Sequence, residues 1–396
     1  MIKKVCLLVD RNMYETVNHF TDKLAEAMTR KGIEVRVFDV NMDNLNSFPT
    51  DEFKNDPPDI TCSFNNFDKL SNGQYLWEIL EIPHVAFLLD PPIYYLDQAE
   101  SPYVILTCVD RYDAKAVQKN FSRAMFWPHG VENDLHSEDN VKRDIDVVFF
   151  GSCFDFIKLR KDWKKHLTGQ MNWVIDFATD IALINSSITL TEALMTSWKT
   201  AGLDNKFGQE NFFQLYHYFE KFMIGKDRFE LIKAIRDVDI HIYGEPFLLT
   251  ENRSYPELSE LFPDKKNVIA HPPVNYSEMI EILKRSKICL NSSPSFRDGT
   301  HDRIFTSLAC GALPIVSDSK YLGETLLHGV DILYYKANHW HEVNDWINEY
   351  LADEQKRKKV VASGREKVMK YHTWDVRIEQ LMEELPPILE SMKRKA

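Results

Sequence analysis

NSSPSFRDGTHDRIFTSLACGALPIVSD (Asn291–Asp318) follows an apolar run that ends at Leu290, and it contains a polar loop, an amphipathic segment and a second apolar run. The amphipathic segment starts near His301 and stops at Gly311, a residue suited to the left-handed position that ends a helix. The order predicted is strand, loop, helix, strand. In such a unit the unpaired N–H groups at the helix start face the carboxyl ends of the strands, where ligands of parallel sheets bind. The helix dipole adds about 0.3–1 kcal/mol in favour of an anion there. Gly299 would let backbone approach a phosphate, and Arg303, one turn in, could offer a fork of donors to a diphosphate. A plain crossover with Thr300 or Asp298 as N-cap accounts for the same residues without a ligand.

The same alternation extends outward over the chain. Apolar runs Val5–Val9, Val35–Val40, Ile60–Phe64, Val85–Leu89, Val104–Val109 and Ala124–Trp127 alternate with segments such as Val17–Met28, whose apolar residues recur at helical spacing. A polar stretch, Glu132–Arg143, reads as a linker. A second series follows at Ile145–Phe150, Ile240–Tyr243, Val268–Ile269, Ile288–Leu290, Leu313–Val316 and Ile332–Tyr335, with helical patterns at Tyr276–Arg285, Arg303–Ala309 and Trp340–Leu351. Continuous apolar strands separated by helices predict parallel sheets covered on both faces. The expected architecture is therefore α/β, with two Rossmann-like parallel-sheet domains. Their expected extents are residues 1–135 and 140–372. The second domain is interrupted by a helical insertion at about 171–235, whose aromatic residues predict a small core of its own or a lid. A tail, 373–396, carries Trp374, Ile378, Leu381, Met382 and Leu385 at helical spacing, interrupted by Pro386-Pro387, and is expected to pack back across the domains.

Composition bounds the function. The 396 residues are 44% hydrophobic and 12% aromatic, enough for a substantial core and incompatible with a disordered chain. Sixty acidic against 48 basic residues give a net charge of −12, the opposite of what phosphate-dominated nucleic-acid binding needs. The six cysteines are scattered, with no Cys-x-x-Cys pair, which argues against a zinc site or a disulfide framework. No apolar stretch approaches the length of a membrane span. The expectation is a cytoplasmic protein with no bound metal, no nucleic-acid partner and no membrane insertion.

Gly299, His301, Arg303, Phe305, Ala309, Gly311, Ala312 and Asp318 together resemble the donor-site signature of GT-B glycosyltransferases of the "glycosyl transferases group 1" type, most closely the CgeB-like (spore-maturation-protein-like) group. Asp146–Ser152 resembles the first strand and glycine turn of that donor domain, Ile240–Gly244 a strand ending in Tyr-Gly, and His271–Met279 the segment leading into Tyr-x-Glu-Met. Trp127–Val131 resembles the turn between the two domains. The resemblance implies two domains facing a cleft, with an acceptor-side first domain and a donor domain that holds a nucleotide-diphosphate sugar, a UDP-sugar, as substrate without any cofactor. It places the donor on Gly151, Ser152, Arg160, Tyr243, Gly244, Pro273, Val274, Tyr276, Asn291, Asp298, Gly299, Thr300, His301, Asp302 and Arg303. Arg160 and Lys158 read equally well as solvated charges on a lysine-rich helix. Many retaining members carry two glutamates across this loop and helix. Here Asp298 and Thr306 stand in their places, and a threonine cannot hold a ribose as a carboxylate does.

Transfer with inversion needs a base aimed at the acceptor hydroxyl. Asp90, beyond the run Val85–Leu89, is the first candidate, and Asp10 and His129 are acceptor-side alternatives. Asp144-Ile145-Asp146 and Asp237-Val238-Asp239 have the Asp-x-Asp form of a metal motif, but both precede strands rather than follow them. The acceptor is a protein, polysaccharide or small-molecule hydroxyl. The rival readings are a nucleotide-sugar 2-epimerase and a non-catalytic nucleotide-sugar-binding scaffold subunit.

Overall fold

The computed structural model describes residues 2–10, 15–40, 50–65, 69–135, 141–153, 155–203, 209–244, 248–250, 253–254 and 261–393. The chain divides into two compact units, Met1–Asp134 with Met369–Ala396, and Leu135–Val368.

The first unit is built on a six-stranded sheet: β1 (Lys4–Val9), β2 (Glu34–Asp39), β3 (Ile60–Phe64), β4 (His84–Phe87), β5 (Val104–Cys108) and β6 (Ala124–Phe126), in the order β2-β1-β3-β4-β5-β6. Every pairing is parallel. β3, β4 and β5 are buried along their whole length, as the continuous apolar runs require of strands covered on both faces. Polar residues are buried in them too: Thr61, Ser63, Thr107 and His84, the last fully buried with its Nδ1 2.9 Å from Thr61 Oγ1 and its Nε2 3.1 Å from Ser63 Oγ. Its ring stacks on Trp77 at 3.9 Å. Burial pushes its pKa down to about 3, so it is neutral.

The C-terminal helix, Trp374–Lys393, belongs to this unit and buries Trp374, Arg377, Ile378, Leu381 and Leu385. It runs through Pro386 and Pro387, where an interruption was expected. The prolines remove backbone donors, but they follow Leu385, the last buried residue of the helix, so its packed face is complete before them.

The second unit has its own parallel sheet: β7 (Ile145–Phe150), β8 (Ile240–Tyr243), β11 (Val268–His271), β12 (Ser286–Asn291), β13 (Leu313–Ser317) and β14 (Leu333–Tyr335), ordered β11-β8-β7-β12-β13-β14. A separate antiparallel pair, β9 (Leu248–Thr250) and β10 (Arg253–Ser254), is the remaining described strand pairing. All twelve apolar runs identified in the sequence are strands, and the expected α/β fold with two parallel sheets is the one observed.

The insertion is helical, with helices Gly169–Ile184, Leu190–Thr200 and Gln209–Ala234. Within it Trp198 meets Phe212 at 5.4 Å, and its long helix packs Tyr218 on Trp163 at 4.6 Å and Phe222 on Phe156 at 5.3 Å, both on the preceding helix Phe156–Lys164. The far end of the long helix enters the main core of the unit, where Leu231, Ile232 and Ile235 pack with Val147, Phe149, Ile240 and Ile242.

All six cysteines are free and buried. Among the described residues no group of three or more His, Cys, Asp or Glu side chains could hold a metal ion, and no helix is long and apolar enough to cross a membrane.

Candidate functional site

Strand order reverses at β7, with β8 on one side and β12 on the other. The loops after β7 and β12 therefore flank the switch point at which open parallel sheets bind ligands. After β7 the chain turns through Gly151, whose φ of 143° suits glycine. Gly151 N–H donates to the Tyr243 carbonyl at 2.9 Å, joining the turn to the end of β8.

The loop after β12 is tied down along its length. Ser293 N–H donates to Ser317 Oγ at 2.9 Å, Ser319 Oγ–H to the Gly299 carbonyl at 2.7 Å, and Lys320 N–H to the Arg297 carbonyl at 2.9 Å. Asp298, Gly299 and Thr300 are buried, as is Asn291, and Gly299 does not adopt a left-handed φ. Of the site residues expected in this segment, His301 and Arg303 are half-exposed.

The helix that follows is Asp302–Ala309, and its N-cap is His301, in place of the expected Thr300 or Asp298. His301 Nδ1 lies 2.6 Å from Asp302 Oδ1 and 3.4 Å from the Arg303 backbone nitrogen. The shorter contact assigns the proton to Nδ1, leaving Nε2 to accept from Arg303 Nη2 at 2.9 Å. Burial, helped by the Arg303 charge, lowers the His301 pKa, which keeps the ring neutral. Arg303 Nη1 donates to the Phe150 carbonyl, so this guanidinium stands at the end of β7 next to the glycine turn. The helix ends as expected: Gly311, at φ 83°, donates to the Leu308 carbonyl at 3.0 Å, and Ala312 donates to that of Ser307 at 2.9 Å. Arg143 adds donors to the Leu283, Ser286 and Cys310 carbonyls, at the C-terminal ends of this helix and of the helix Tyr276–Arg285.

Thr306 is wholly buried, its hydroxyl 3.0 Å from Tyr276 Oη and donating to the Asp302 carbonyl at 3.1 Å. It joins two helices and faces no open site. Tyr276 is buried in the same contact, after Asn275, which caps its helix reciprocally with Glu278. Across the ends of β7, β8 and β11, Phe150, Tyr243 and His271 form a row, with ring separations of 5.4 Å and 4.3 Å. Pro273 is exposed and Val274 half-exposed just beyond that row.

Arg160 stands apart from this group. Its guanidinium donates to Asp176 Oδ1 at 2.6 Å and 3.0 Å and to Asn172 Oδ1 and carbonyl at 2.7 Å and 2.9 Å. Those bonds clamp the helix Phe156–Lys164 to the insertion, while Lys158 is exposed. A cation that residue spacing did not reveal is Arg228, on the insertion's long helix, whose Nη1 donates to the Ser152 carbonyl at 2.8 Å. Its distance from Ser152 in sequence, with a helical insertion between, left no signal to connect them. The carboxylates of the two Asp-x-Asp sequences lie at the starts of β7 and β8. Asp144 pairs with Arg285 at 2.7 Å, Asp146 with Lys287 at 2.5 Å, and Asp237 accepts from Asn344 and Asn348.

In the first unit Asp90 is exposed, three residues beyond β4. Its Oδ2 accepts from Asn65 Nδ2 and Tyr95 Oη, both at 3.2 Å. Asn65, at φ 55°, also accepts the Leu89 N–H through Oδ1 at 2.8 Å, which fixes the loop that carries Asp90. Asp10 is 8% exposed and His129 3%. The turn containing His129 is held by Arg377, whose Nε donates to the Pro128 and His129 carbonyls at 2.9 Å, and by Trp374, which packs against Gly130. His129 is thus part of a buried clasp.

Residues 228–383 match the family described as Glycosyl transferase-like. No curated protein matches the chain by sequence. Among solved structures, Anabaena Alr3699/HepE in complex with UDP-glucose superposes with a TM-score of 0.59 at 12% identity, covering 96% of this chain and 99% of that one. Sucrose-phosphate synthase from Thermosynechococcus elongatus gives 0.55 at 11% identity over 98% and 100%. AviGT4, a glycosyltransferase involved in avilamycin A biosynthesis, gives 0.53 at 9% over 98% and 98%. The chain has the fold of the GT-B glycosyltransferases, and the matched segment contains Arg228, β8 to β14 and the Asp302–Ala309 helix.

Proposed function

We propose that the protein is a metal-independent glycosyltransferase that takes a sugar from a nucleotide-diphosphate donor, a UDP-sugar, and passes it to a hydroxyl of a protein, polysaccharide or small molecule. The observation that carries this reading is the placement of Arg303, one residue into a helix and donating to the last carbonyl of β7, beside a glycine turn at the switch point. That arrangement sets a fixed positive charge and a helix N-terminus where a departing diphosphate would gather negative charge. The HepE structures were obtained with UDP-glucose and with UDP, which supports the nucleotide. A CgeB-like affiliation and a cytoplasmic location accompany the proposal.

In an inverting transfer the acceptor oxygen forms a bond to the anomeric carbon as the bond from that carbon to the diphosphate oxygen breaks. The acceptor proton passes to a carboxylate, and the electron pair leaves with the nucleoside diphosphate. Asp90 is the proposed base: exposed, at the carboxyl edge of its sheet, and oriented by Asn65 and Tyr95. Arg303 is the proposed stabiliser of the leaving group.

Thermal unfolding with UDP, GDP, ADP, CMP and TDP, and with their sugars, tests the donor. Ligand at about 100 times its dissociation constant adds about 2.7 kcal/mol, a visible shift in melting temperature. A shift with UDP and its sugars supports the proposal, and silence across the panel overturns it. Turnover that survives excess chelator supports metal independence, and a strict requirement for manganese removes it.

A further inference from the structure

The helical insertion delivers a second arginine to the glycine turn. Arg228 Nη1 donates to the Ser152 carbonyl, and Arg303 Nη1 donates to the Phe150 carbonyl, so two guanidinium groups bracket Gly151 from either side. Arg228 Nε is buried and, among the described residues, has no hydrogen-bond partner. Burial lowers the pKa of this cation and the Arg303 charge acts in the same direction, while Cys153, Asp227 and Tyr335 oppose them. Two cations held at one turn repel each other, and a buried donor without an acceptor is costly. A ligand carrying at least two negative charges at the turn relieves both penalties.

The neighbouring residue fixes the placement. Asp227, 5% exposed, accepts from Trp340 Nε1 at 2.6 Å through one oxygen, and from Ser292 Oγ at 2.5 Å and Tyr335 Oη at 2.7 Å through the other. These partners come from the loop after β12, from β14 and from the segment beyond it. One carboxylate thereby pins the insertion's long helix to the carboxyl ends of the sheet, and the next residue along that helix is Arg228. Arg160, the cation that sequence placed near the diphosphate, is committed to Asn172 and Asp176 within the insertion.

We infer that the insertion is a working part of the donor site: Arg228 binds the diphosphate opposite Arg303, and Asp227 is the positioning residue that holds it there. This rests on the proposed nucleotide-diphosphate donor.

The test is calorimetric titration of the intact protein with UDP and with uridine. Arg228→Ala is expected to weaken UDP about 10- to 100-fold while leaving uridine within about twofold, since only charged acceptors lose a partner. Arg228→Lys is expected to recover part of the loss, and the loss is expected to shrink as salt rises. Asp227→Asn, whose melting temperature is measured alongside, is expected to fall between wild type and Arg228→Ala for UDP and to match wild type for uridine. If wild type binds UDP and Arg303→Ala weakens it while Arg228→Ala does not, the role of the insertion is overturned and the donor reading stands. If Arg228→Ala weakens UDP and uridine equally, Arg228 is only structural. Wild-type silence toward UDP overturns both.

Discussion

Gly244 lies directly against Gly151: a Cβ placed on Gly244 would fall 2.3 Å from the Gly151 carbonyl oxygen and 2.6 Å from its carbonyl carbon. The ends of β7 and β8 are thus packed backbone to backbone, and the turn at the switch point keeps its shape because Gly244 has no side chain and Gly151 takes a φ of 143°. Gly244→Ala is expected to cost about 1–3 kcal/mol through overpacking. It should also weaken UDP, because the atom that must move belongs to the proposed phosphate turn. Urea denaturation and calorimetry on one preparation check both. Wild-type values for each would show that the turn adjusts freely.

Arg303→Ala removes a charged donor from the end of β7. The expected loss in UDP affinity is about 1.5–3 kcal/mol, with the fold intact because Arg303 is only half-buried. Unchanged affinity in calorimetry would remove Arg303 from the leaving-group role.

Asp90→Asn keeps the size of the side chain and its contacts to Asn65 and Tyr95 while abolishing its capacity to take a proton. Transfer is expected to fall by about 10²–10⁴-fold, the range usual for loss of a general base, with UDP affinity unchanged. A variant that transfers sugar at the wild-type rate would exclude Asp90 as the base.

Thr306 separates what a sequence pattern implies from what packing allows. The resemblance has a ribose-holding glutamate at this place, yet Thr306 is fully buried between its own helix and Tyr276. Thr306→Glu is therefore expected to destabilise the unit by about 2–5 kcal/mol, since a carboxylate would be buried without a counter-charge. It should not tighten UDP binding. Tighter binding would show that the helix can present this position to a ligand.

These residues also mark what was legible beforehand. Strands were readable because their apolar runs are continuous and short, and the Gly311 helix stop because one backbone position demands a left-handed residue. That His301 stands at the N-cap position was not readable, because its ring is held by Asp302 and Arg303 and not by a cap bond to the helix start. That Arg160 was a donor candidate and Arg228 went unnoticed has one reason. Which arginine reaches the turn depends on how the insertion folds back on the sheet, and the Asp227 contacts that set this join positions 65 to 113 residues apart.

Two neutral histidines give the first unit an acid limit. His84 and His372 both have pKa values pushed down to about 3, by burial in each case and for His372 also by Arg377, which donates to its Nδ1 at 2.7 Å. Unfolded, each would titrate near 6.5. Between those values the unfolded chain binds more protons than the folded one, so stability is fully present above about pH 6.5 and is lost as pH falls below it. From pH 7 to pH 5 each histidine is expected to cost about 2 kcal/mol. Denaturant midpoints across that range should fall accordingly, and His84→Gln, which cannot titrate, should lose about 2 kcal/mol of the dependence. A His84→Gln profile parallel to wild type would mean that the ring is not the group being protonated.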